Sequence, residues 1–236
     1  MVKYLLIFSL FSFFVEAQPN VYFFPGQGTD ERIFEKIILP DSFNVHHIQY
    51  AVPSKKDNMH SYAMSMIRQI DTTERPIYFI GQSLGGMIST ELIDILNPDK
   101  VIIISSAKTK NELPVRYTWQ KRFPIHQIIP KMVIKVGASM LQPIFEPDRN
   151  NRKETFKAML SAKKPLYLKR TINLIVNWDR NNYTGHIIHI HGTNDHTIPS
   201  RNVDADFLIE GGSHMMVLTR GEEIAKLILL ILSKPH

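Results

Sequence analysis

Six short apolar runs alternate with segments of helical periodicity, and this alternation restricts how the chain folds more than any other feature. The runs occupy residues 21–24, 45–50, 77–80, 101–104, 187–191 and 207–209. Continuous apolar runs of this length, separated by helices, are typical of a parallel sheet that is covered on both faces. The sequence therefore predicts an α/β fold with a mostly parallel sheet and helices on both faces.

The segments between and after these runs have the spacing of covering helices. Residues 84–96 place Leu84, Met87 and Ile88 on one helical face, and residues 61–70 and 222–232 show the same kind of apolar face. We expect each of these segments to be a helix that packs on the sheet.

The pattern changes over residues 108–178, where strand-like runs are absent and six prolines divide the chain into helix-length pieces. We expect an inserted helical cap here. Residues 108–170 hold fifteen basic and four acidic side chains. Such charge is typical of a solvated face, and it also suits attraction to an anionic membrane or envelope surface, or steering of an anionic substrate. Because no nucleic-acid-binding motif accompanies it, nucleic acid is not an expected partner.

The composition is that of an ordinary globular protein. The chain has 236 residues, of which 44% are apolar and 21% charged, and its formal net charge is +6. It contains no cysteine, which excludes a disulfide scaffold. At this length we expect one domain rather than two.

The N-terminus resembles a secretory signal peptide. Lys3 precedes an apolar stretch over residues 4–15, and Val15 and Ala17 have the spacing of a cleavage site. We expect a signal peptide over residues 1–17, a mature domain over 18–236 and a secreted or periplasmic location. A retained anchor is the alternative, although the stretch is shorter than the roughly 20 residues that span a bilayer. No later stretch has the length and apolarity of a membrane span.

A tight turn at Ser83 is the sharpest chemical signal. Residues 77–86 read IYFIGQSLGG, a strand that runs directly into G-x-S-x-G and then into a helix. Gly81 and Gly85 flank Ser83 because side chains would collide in such a turn, which raises the hydroxyl above the sheet edge. A glycine-rich turn with a solvated serine is the alternative. The helix begins at Leu84, so the Leu84 N–H would face a developing oxyanion.

With this turn the chain resembles the α/β-hydrolase family, and two later segments support the resemblance. Residues 187–199, IIHIHGTNDHTIP, resemble the acid-bearing loop and place Asp195 after a strand. Residues 211–215, GGSHM, resemble the histidine loop and supply His214. The resemblance implies a triad in which Ser83 is the nucleophile, His214 the base and Asp195 the carboxylate that orients the imidazole.

Other residues compete for the acid and base roles. Asp204 and Asp206 lie closer to His214 in the sequence, but Asp206 begins a strand rather than following one. His191 and His196 flank the acid loop, where His191 is expected to be structural and His196 exposed.

The histidines near Asp195 also raise the question of a metal. His186, His189, His191 and His196 cluster with Asp195 in the sequence, as zinc ligands do. On a strand His189 and His191 share a face while His186 points away. Because the resemblance already explains His191 and Asp195, we expect neither a catalytic metal nor a cofactor.

The family supplies a second oxyanion donor from the loop after an early strand, which often reads HG. Here that loop reads PGQGTDER, with Pro25 in place of the usual histidine. The resemblance assigns the donor to the Gln27 N–H, with Gly28 as the near alternative, and an ordinary glycine-rich turn is also open. Asp30 or Arg32 is expected to brace the loop.

The resemblance implies a serine carboxylesterase-like enzyme that cleaves a small-molecule ester through an acyl-enzyme intermediate. A thioesterase, a lactonase and a carbon–carbon bond hydrolase or lyase are alternatives on the same triad, and a non-catalytic ligand-binding protein of this fold is another. Large apolar side chains of the expected cap would line an acyl pocket or form the core of the cap. They are Trp119, Met132, Val136, Met140, Leu141, Phe145, Phe156, Met159, Leu160, Leu166 and Ile172.

Overall fold

Six strands form one parallel sheet, in the order β2–β1–β3–β4–β5–β6. The computed structural model describes residues 18–145 and 152–234, so the predicted signal peptide lies outside the described residues. All the strand pairings are parallel, which confirms the predicted fold class. The strands are β1 (Asn20–Phe24), β2 (Asn44–His47), β3 (Ile77–Gln82), β4 (Lys100–Ile104), β5 (Ile187–Gly192) and β6 (Phe207–Ile209).

Helices follow most of the strands. In the described residues they are α1 (Met59–Met64), α2 (Leu84–Leu96), α3 (Val115–Arg122), α4 (Ile125–Ile128), α5 (Lys131–Phe145), α6 (Lys153–Ala162), α7 (Pro165–Val176), α8 (Met216–Thr219) and α9 (Gly221–Leu232). None of them is both long enough and apolar enough to cross a membrane.

Alternate residues of the central strands pack into opposite helix layers. Phe24 and Phe79 belong to a buried cluster with residues of α1 and α2. Phe23 and Ile80 belong to the cluster on the other face, with residues of α8 and α9. Because both faces are covered, every residue of β1 and β3 is buried, which explains why these strands read as continuous apolar runs.

Two predicted elements have different boundaries. The run over 45–50 predicts a longer strand, but β2 ends at His47, because the Gln69 side chain takes over both backbone groups of Gln49, at 2.9 and 3.0 Å. The helix predicted over 61–70 begins earlier, at Met59, where Asn58 and Ser61 form a capping box. It ends at Met64 and continues as a 3₁₀ turn over Ile67–Gln69.

Between β4 and β5 the described residues form the five helices α3 to α7 and no strand. Within this helical insertion α7 is the central element, since α3, α4 and α5 all pack against it. Its first residue, Pro165, sits at the N-terminal position where proline costs no hydrogen bond.

The carboxyl ends of the strands meet at one edge of the sheet. The register pairs Phe24 of β1 with Gly81 of β3, and Gln82 with Ile104 of β4. On the other side, Gly192 of β5 pairs with Ile209 of β6. The loops that carry Gln27, Ser83, Asp195 and His214 therefore all leave from this edge, where parallel α/β folds bind ligands.

Candidate active site

Ser83 is the single residue that joins β3 to α2, and its backbone is strained. Its φ of 51° and ψ of −118° lie in a region that residues with a side chain rarely adopt, at a cost of about 1–3 kcal/mol. The Ser83 N–H donates to the Ile104 carbonyl at 3.0 Å, and the Ser83 carbonyl accepts the Ser106 hydroxyl at 2.7 Å. Hydrogen bonds to the end of β4 thus hold the turn.

The glycines around Ser83 are required by close backbone contacts. A Cβ added to Gly85 would lie 2.0 Å from the Phe24 carbonyl oxygen, and one added to Gly81 would lie 2.5 Å from the Gly85 oxygen. The start of α2 therefore sits directly against the end of β1. Because of these contacts, only glycine fits at positions 81 and 85 of the strand-to-helix turn.

The three side chains singled out by the sequence lie in one hydrogen-bonded line. His214 Nε2 lies 2.8 Å from Ser83 Oγ, and His214 Nδ1 lies 2.8 Å from Asp195 Oδ2. Asp195 follows β5 and His214 follows β6, so the three come from separate loops at the same sheet edge. His214 and Asp195 are 7% and 2% exposed. The line runs from the buried carboxylate to the serine hydroxyl.

The Asp195 carboxylate is fixed by its own loop. Oδ1 accepts the backbone N–H groups of Thr197 at 2.8 Å and Ile198 at 2.7 Å, which leaves Oδ2 to face His214. The competing carboxylates are placed elsewhere. Asp204 is exposed, and Asp206 accepts the backbone N–H of His189 at 2.7 Å, joining β6 to β5.

Gln82 is a residue of this site that the sequence motifs do not mark. Its side chain is 1% exposed, and its Nε2 donates to the backbone carbonyl of His214 at 3.1 Å. The residue before Ser83 thus holds the loop that carries the imidazole. Its position between Gly81 and Ser83 was visible in the sequence, but its partner is 132 residues away.

Structural comparison finds the architecture of this chain in solved structures. The chain superposes on an esterase from Thermogutta terrifontis with a TM-score of 0.68 and 14% identity, covering 91% of this chain and 89% of that one. A hydrolase from Pseudomonas aeruginosa gives a TM-score of 0.71 at 17% identity, covering 92% and 91%. An enol-lactonase from Burkholderia xenovorans gives 0.69 at 14%, covering 92% of both chains.

The chain adopts the α/β-hydrolase fold. No protein-family model matches the sequence, and no curated protein matches it. The likeness therefore concerns the architecture, and the chemistry has to be argued from the side chains.

The two backbone amides expected to donate to an oxyanion are those of Gln27 and Leu84. The N–H groups of Gln27 and Leu84 have no acceptor among the described residues. The Gln27 loop is held from its side chain, whose Nε2 donates to Thr171 Oγ1 at 2.8 Å and to the Leu168 carbonyl at 3.3 Å on α7. Gly28, with a φ of 80°, remains the alternative donor.

Asp30 and Arg32, which were expected to brace the loop that carries Gln27, form an ion pair with each other. Arg32 Nη2 lies 2.6 Å from Asp30 Oδ2, and Asp30 also accepts the Arg32 backbone N–H at 3.3 Å. Although burial acts in the opposite direction, the hydrogen bonds and charge of Arg32 lower the pKa of Asp30. Asp30 and Arg32 therefore close the loop onto the 3₁₀ turn that follows it.

A cavity of about 380 Å³ opens at Ser83 and His214. The helical insertion contributes much of its wall. The described lining residues are Gln27, Ser83, Met87, Arg116, Tyr117, Gln120, Ala138, Phe156, Ile172, Ile175, Thr197, Ile198, His214 and Met215. Burial raises the pKa of Tyr117 above its ordinary value.

The apolar residues considered for an acyl pocket divide into several groups. Phe156 and Ile172 line the cavity. Met159 and Leu160 are buried in the core, and Leu166 lines a different cleft. Four of the remaining residues are exposed: Trp119, Met132, Val136 and Met140. The side chains of Leu141 and Phe145 lie outside the described structure.

His189 and His191 contact each other, as their shared face on β5 predicts. His189 Nε2 lies 3.0 Å from His191 Nδ1, and both rings are fully buried. Burial lowers the pKa of both imidazoles, that of His189 most strongly. Among the described residues, no group of three or more histidine, aspartate or glutamate side chains is arranged to hold a metal ion.

Proposed function

We propose that the protein is a serine hydrolase that cleaves a carboxylic ester through an acyl-enzyme intermediate. The observation that carries this proposal is the hydrogen-bonded line from Asp195 Oδ2 through His214 to Ser83 Oγ, with 2.8 Å at each contact. A serine hydroxyl is a poor nucleophile until a base takes its proton, and an imidazole that is oriented by a carboxylate supplies that base.

In the acylation step Ser83 Oγ attacks the carbonyl carbon of the ester while His214 Nε2 accepts the hydroxyl proton. Asp195 accepts the Nδ1–H of His214, which keeps Nε2 free to take a proton and stabilises the imidazolium that results. The unpartnered amides of Leu84 and Gln27 donate to the oxyanion of the tetrahedral intermediate. His214 then gives its proton to the departing alcohol.

In the deacylation step water takes the place of the alcohol. His214 Nε2 accepts a proton from the water as it attacks the acyl carbonyl, and the same two amides hold the second oxyanion. Collapse of this intermediate releases the acid and returns the proton to Ser83.

The rate of hydrolysis by the Ser83→Ala variant tests the proposal. The assay is a panel of aryl esters from acetate to palmitate, run beside a thioester and a lactone. We expect at least one ester to be hydrolysed, and Ser83→Ala to lower that rate by about 10³-fold or more. A fluorophosphonate should label Ser83 in the wild-type chain and leave the variant unlabelled. Wild-type rates in Ser83→Ala would contradict the mechanism, as would a reactive ester panel with no label on Ser83.

A further inference from the structure

The helical insertion exposes an unusual number of large apolar side chains. Of the fifteen exposed large hydrophobic residues in the described structure, nine lie within residues 115–140, on α3, α4, α5 and the turns between them. We call these nine residues and the basic residues among them the apolar-basic face. The nine are Val115, Trp119, Phe123, Ile125, Ile128, Met132, Val133, Val136 and Met140. A concentration of this kind on a protein surface marks an interaction site.

The same stretch has one sign of charge. Residues 113–145 contain five lysines and arginines and no aspartate or glutamate. Lys121, Arg122 and Lys131 are exposed. Lys135 instead donates to the carbonyls of Ser161 and Lys163, at 2.7 and 2.8 Å. Three solvated cations therefore lie among the nine apolar side chains.

Helix α5 shows how the apolar and basic groups are arranged. Met132, Val136 and Met140 are spaced by four residues, so they form one stripe along the helix, and all three are exposed. On another side Ile134 packs against the buried cluster that contains Leu160. The helix thus has one apolar side toward the protein and a second toward solvent, whereas an ordinary surface helix has one.

We propose that the apolar-basic face docks on an anionic lipid membrane. Apolar side chains that enter the boundary between headgroups and acyl chains, flanked by lysine and arginine at the headgroup level, are how interfacial helices bind bilayers. Lys121, Arg122 and Lys131 complement anionic headgroups, and the nine apolar residues match the acyl boundary.

Charge also decides between occupants of this face. A second copy of the chain would bring two surfaces of the same positive charge together, with no carboxylate in residues 113–145 to pair with them. A nucleic acid would complement the charge but would leave Ile128, Met132 and Val133 against phosphates and sugars. The membrane satisfies the cations and the apolar side chains together.

The face shares its helices with the cavity. Arg116, Tyr117 and Gln120 on α3 line the cavity, while their neighbours Val115 and Trp119 are exposed. Docking through this face would therefore bring the membrane against the helices that form the cavity wall.

Trp119 provides a reporter inside the face. The chain has two tryptophans. Trp119 is 52% exposed, whereas Trp178 is 2% exposed and donates to Glu91 Oε1 at 2.7 Å. We expect vesicles of phosphatidylcholine and phosphatidylglycerol in equal parts to shift the emission of the full chain to shorter wavelength, and brominated lipids to quench it. Trp119→Phe should abolish both effects while Trp178 continues to emit.

Matched triple variants separate the face from the rest of the surface. Ile128→Ser, Met132→Ser and Val133→Ser together should weaken vesicle binding by about tenfold or more, since they replace three of the nine apolar side chains with polar ones. The control triple is Ile38→Ser, Leu208→Ser and Leu230→Ser, whose side chains are similarly exposed, at 77%, 58% and 52%. It should bind like the wild type in co-sedimentation.

A second pair of triple variants tests the charge. Lys121→Gln, Arg122→Gln and Lys131→Gln together should lower affinity for the anionic vesicles by about tenfold or more and flatten its salt dependence. The control is Arg68→Gln, Lys226→Gln and Lys234→Gln, all exposed and none of them on the helices of the face. Pure phosphatidylcholine vesicles should bind every variant weakly.

Several outcomes would overturn the proposal. One is equal binding to anionic and neutral vesicles, and another is equal loss of binding in a test triple and its control. Vesicle binding without a change in Trp119 emission would assign the contact to another part of the chain. A dimer in sedimentation velocity that the apolar test triple dissolves would assign the face to a second copy.

Discussion

His191 Nε2 lies 3.4 Å from Asp195 Oδ2, the same carboxylate oxygen that His214 Nδ1 contacts at 2.8 Å. His191 Nε2 also lies 2.8 Å from the Ile198 carbonyl, which can only accept, so this nitrogen carries a proton. In a neutral ring Nδ1 is then an acceptor, and it takes the Nε2–H of His189 at 3.0 Å. The two buried histidines thus form a directed chain that ends beside the carboxylate.

These hydrogen bonds require the imidazoles of His189 and His191 to be neutral in the folded protein. Protonation of His191 Nδ1 would either set two N–H groups against each other at the His189 contact or move the His189 proton to its own Nδ1. The Nδ1 atom of His189 is buried without a hydrogen-bond partner among the described residues. Burial accordingly lowers the pKa of both groups from the ordinary value of 6.5, and the charge of Lys108 lowers that of His189 further.

We predict that the free energy of unfolding falls as the pH drops below about 6.5. Below that value the unfolded chain binds protons at His189 and His191 that the folded chain does not bind, so acid favours unfolding. Each group contributes a slope of up to about 1.4 kcal/mol per pH unit. Urea unfolding at stepped pH values would measure this slope.

His189→Gln should reduce the pH dependence of the free energy of unfolding by about the contribution of one imidazole. The glutamine amide can still donate to His191 but does not titrate. The matched control is His196→Gln, whose side chain is exposed. An unchanged slope in His189→Gln would contradict the assignment of a neutral buried pair.

The convergence of Ser83, Asp195 and His214 could be anticipated because each follows a strand of a parallel sheet. Parallel pairing puts the carboxyl ends of β3, β5 and β6 at one edge, so the three loops meet there, and the resemblance to the α/β-hydrolase family selected Asp195 and His214 within them. The contacts that hold them were not accessible in the same way. Gln82 reaches the His214 carbonyl across 132 residues, and no periodicity or turn signal reports such a pairing.

The fold shows the same division between local and distant causes. Helix α2 (Leu84–Leu96) has the predicted bounds because its apolar face and starting turn are both local. Strand β2 is shorter than predicted because the Gln69 side chain, about twenty residues away, takes the hydrogen bonds of Gln49. In the helical insertion, helical spacing alone did not predict which apolar residues are buried: Met132 is exposed to solvent, whereas Met159 is buried.

We predict that Asp195→Asn lowers kcat for the proposed ester hydrolysis by about 10³-fold or more. The N–H groups of Thr197 and Ile198 hold Oδ1, so an asparagine would keep its oxygen there and turn its amide toward His214. That amide would donate to His214 Nδ1 and move the imidazole proton to Nε2, which could then no longer accept the proton of Ser83.

Asp204→Asn is the control for this variant, because the Asp204 side chain is exposed and its backbone carbonyl makes the contact with Lys108. It should hydrolyse the same ester at close to the wild-type rate. If Asp204→Asn were the inactive variant, the acid of the proposed triad would have to be reassigned.

We predict opposite effects from two glycine-to-alanine substitutions. Gly85→Ala places a Cβ 2.0 Å from the Phe24 carbonyl, which forces β1 and α2 apart. It should lower the free energy of unfolding by about 1–3 kcal/mol and abolish the proposed ester hydrolysis. Gly137 lies inside α5 with nothing within 4 Å of the position that a Cβ would take, so Gly137→Ala should stabilise the protein by about 0.5–1 kcal/mol. Thermal unfolding of both variants, alongside the ester assay, would check the pair.

We predict that Arg116 favours esters that carry a negative charge. Arg116 lines the cavity that opens at Ser83 and His214, and no aspartate or glutamate is among the described lining residues. Its guanidinium also donates to the Thr197 carbonyl, which holds α3 against the acid loop. A carboxylate in this cavity would gain a charge-assisted hydrogen bond.

The test compares 4-nitrophenyl hemisuccinate with neutral 4-nitrophenyl butyrate, two esters of similar length. Arg116→Gln should raise KM for the hemisuccinate by about tenfold, the equivalent of one charge-assisted hydrogen bond, and leave KM for the butyrate nearly unchanged. The control is Arg122→Gln, on the same helix but outside the cavity lining, which removes the same net charge. Equal changes in KM for both esters would show instead that Arg116 acts by holding the Thr197 loop. Equal changes in KM for the hemisuccinate in both variants would assign the preference to the charge of the whole helical insertion.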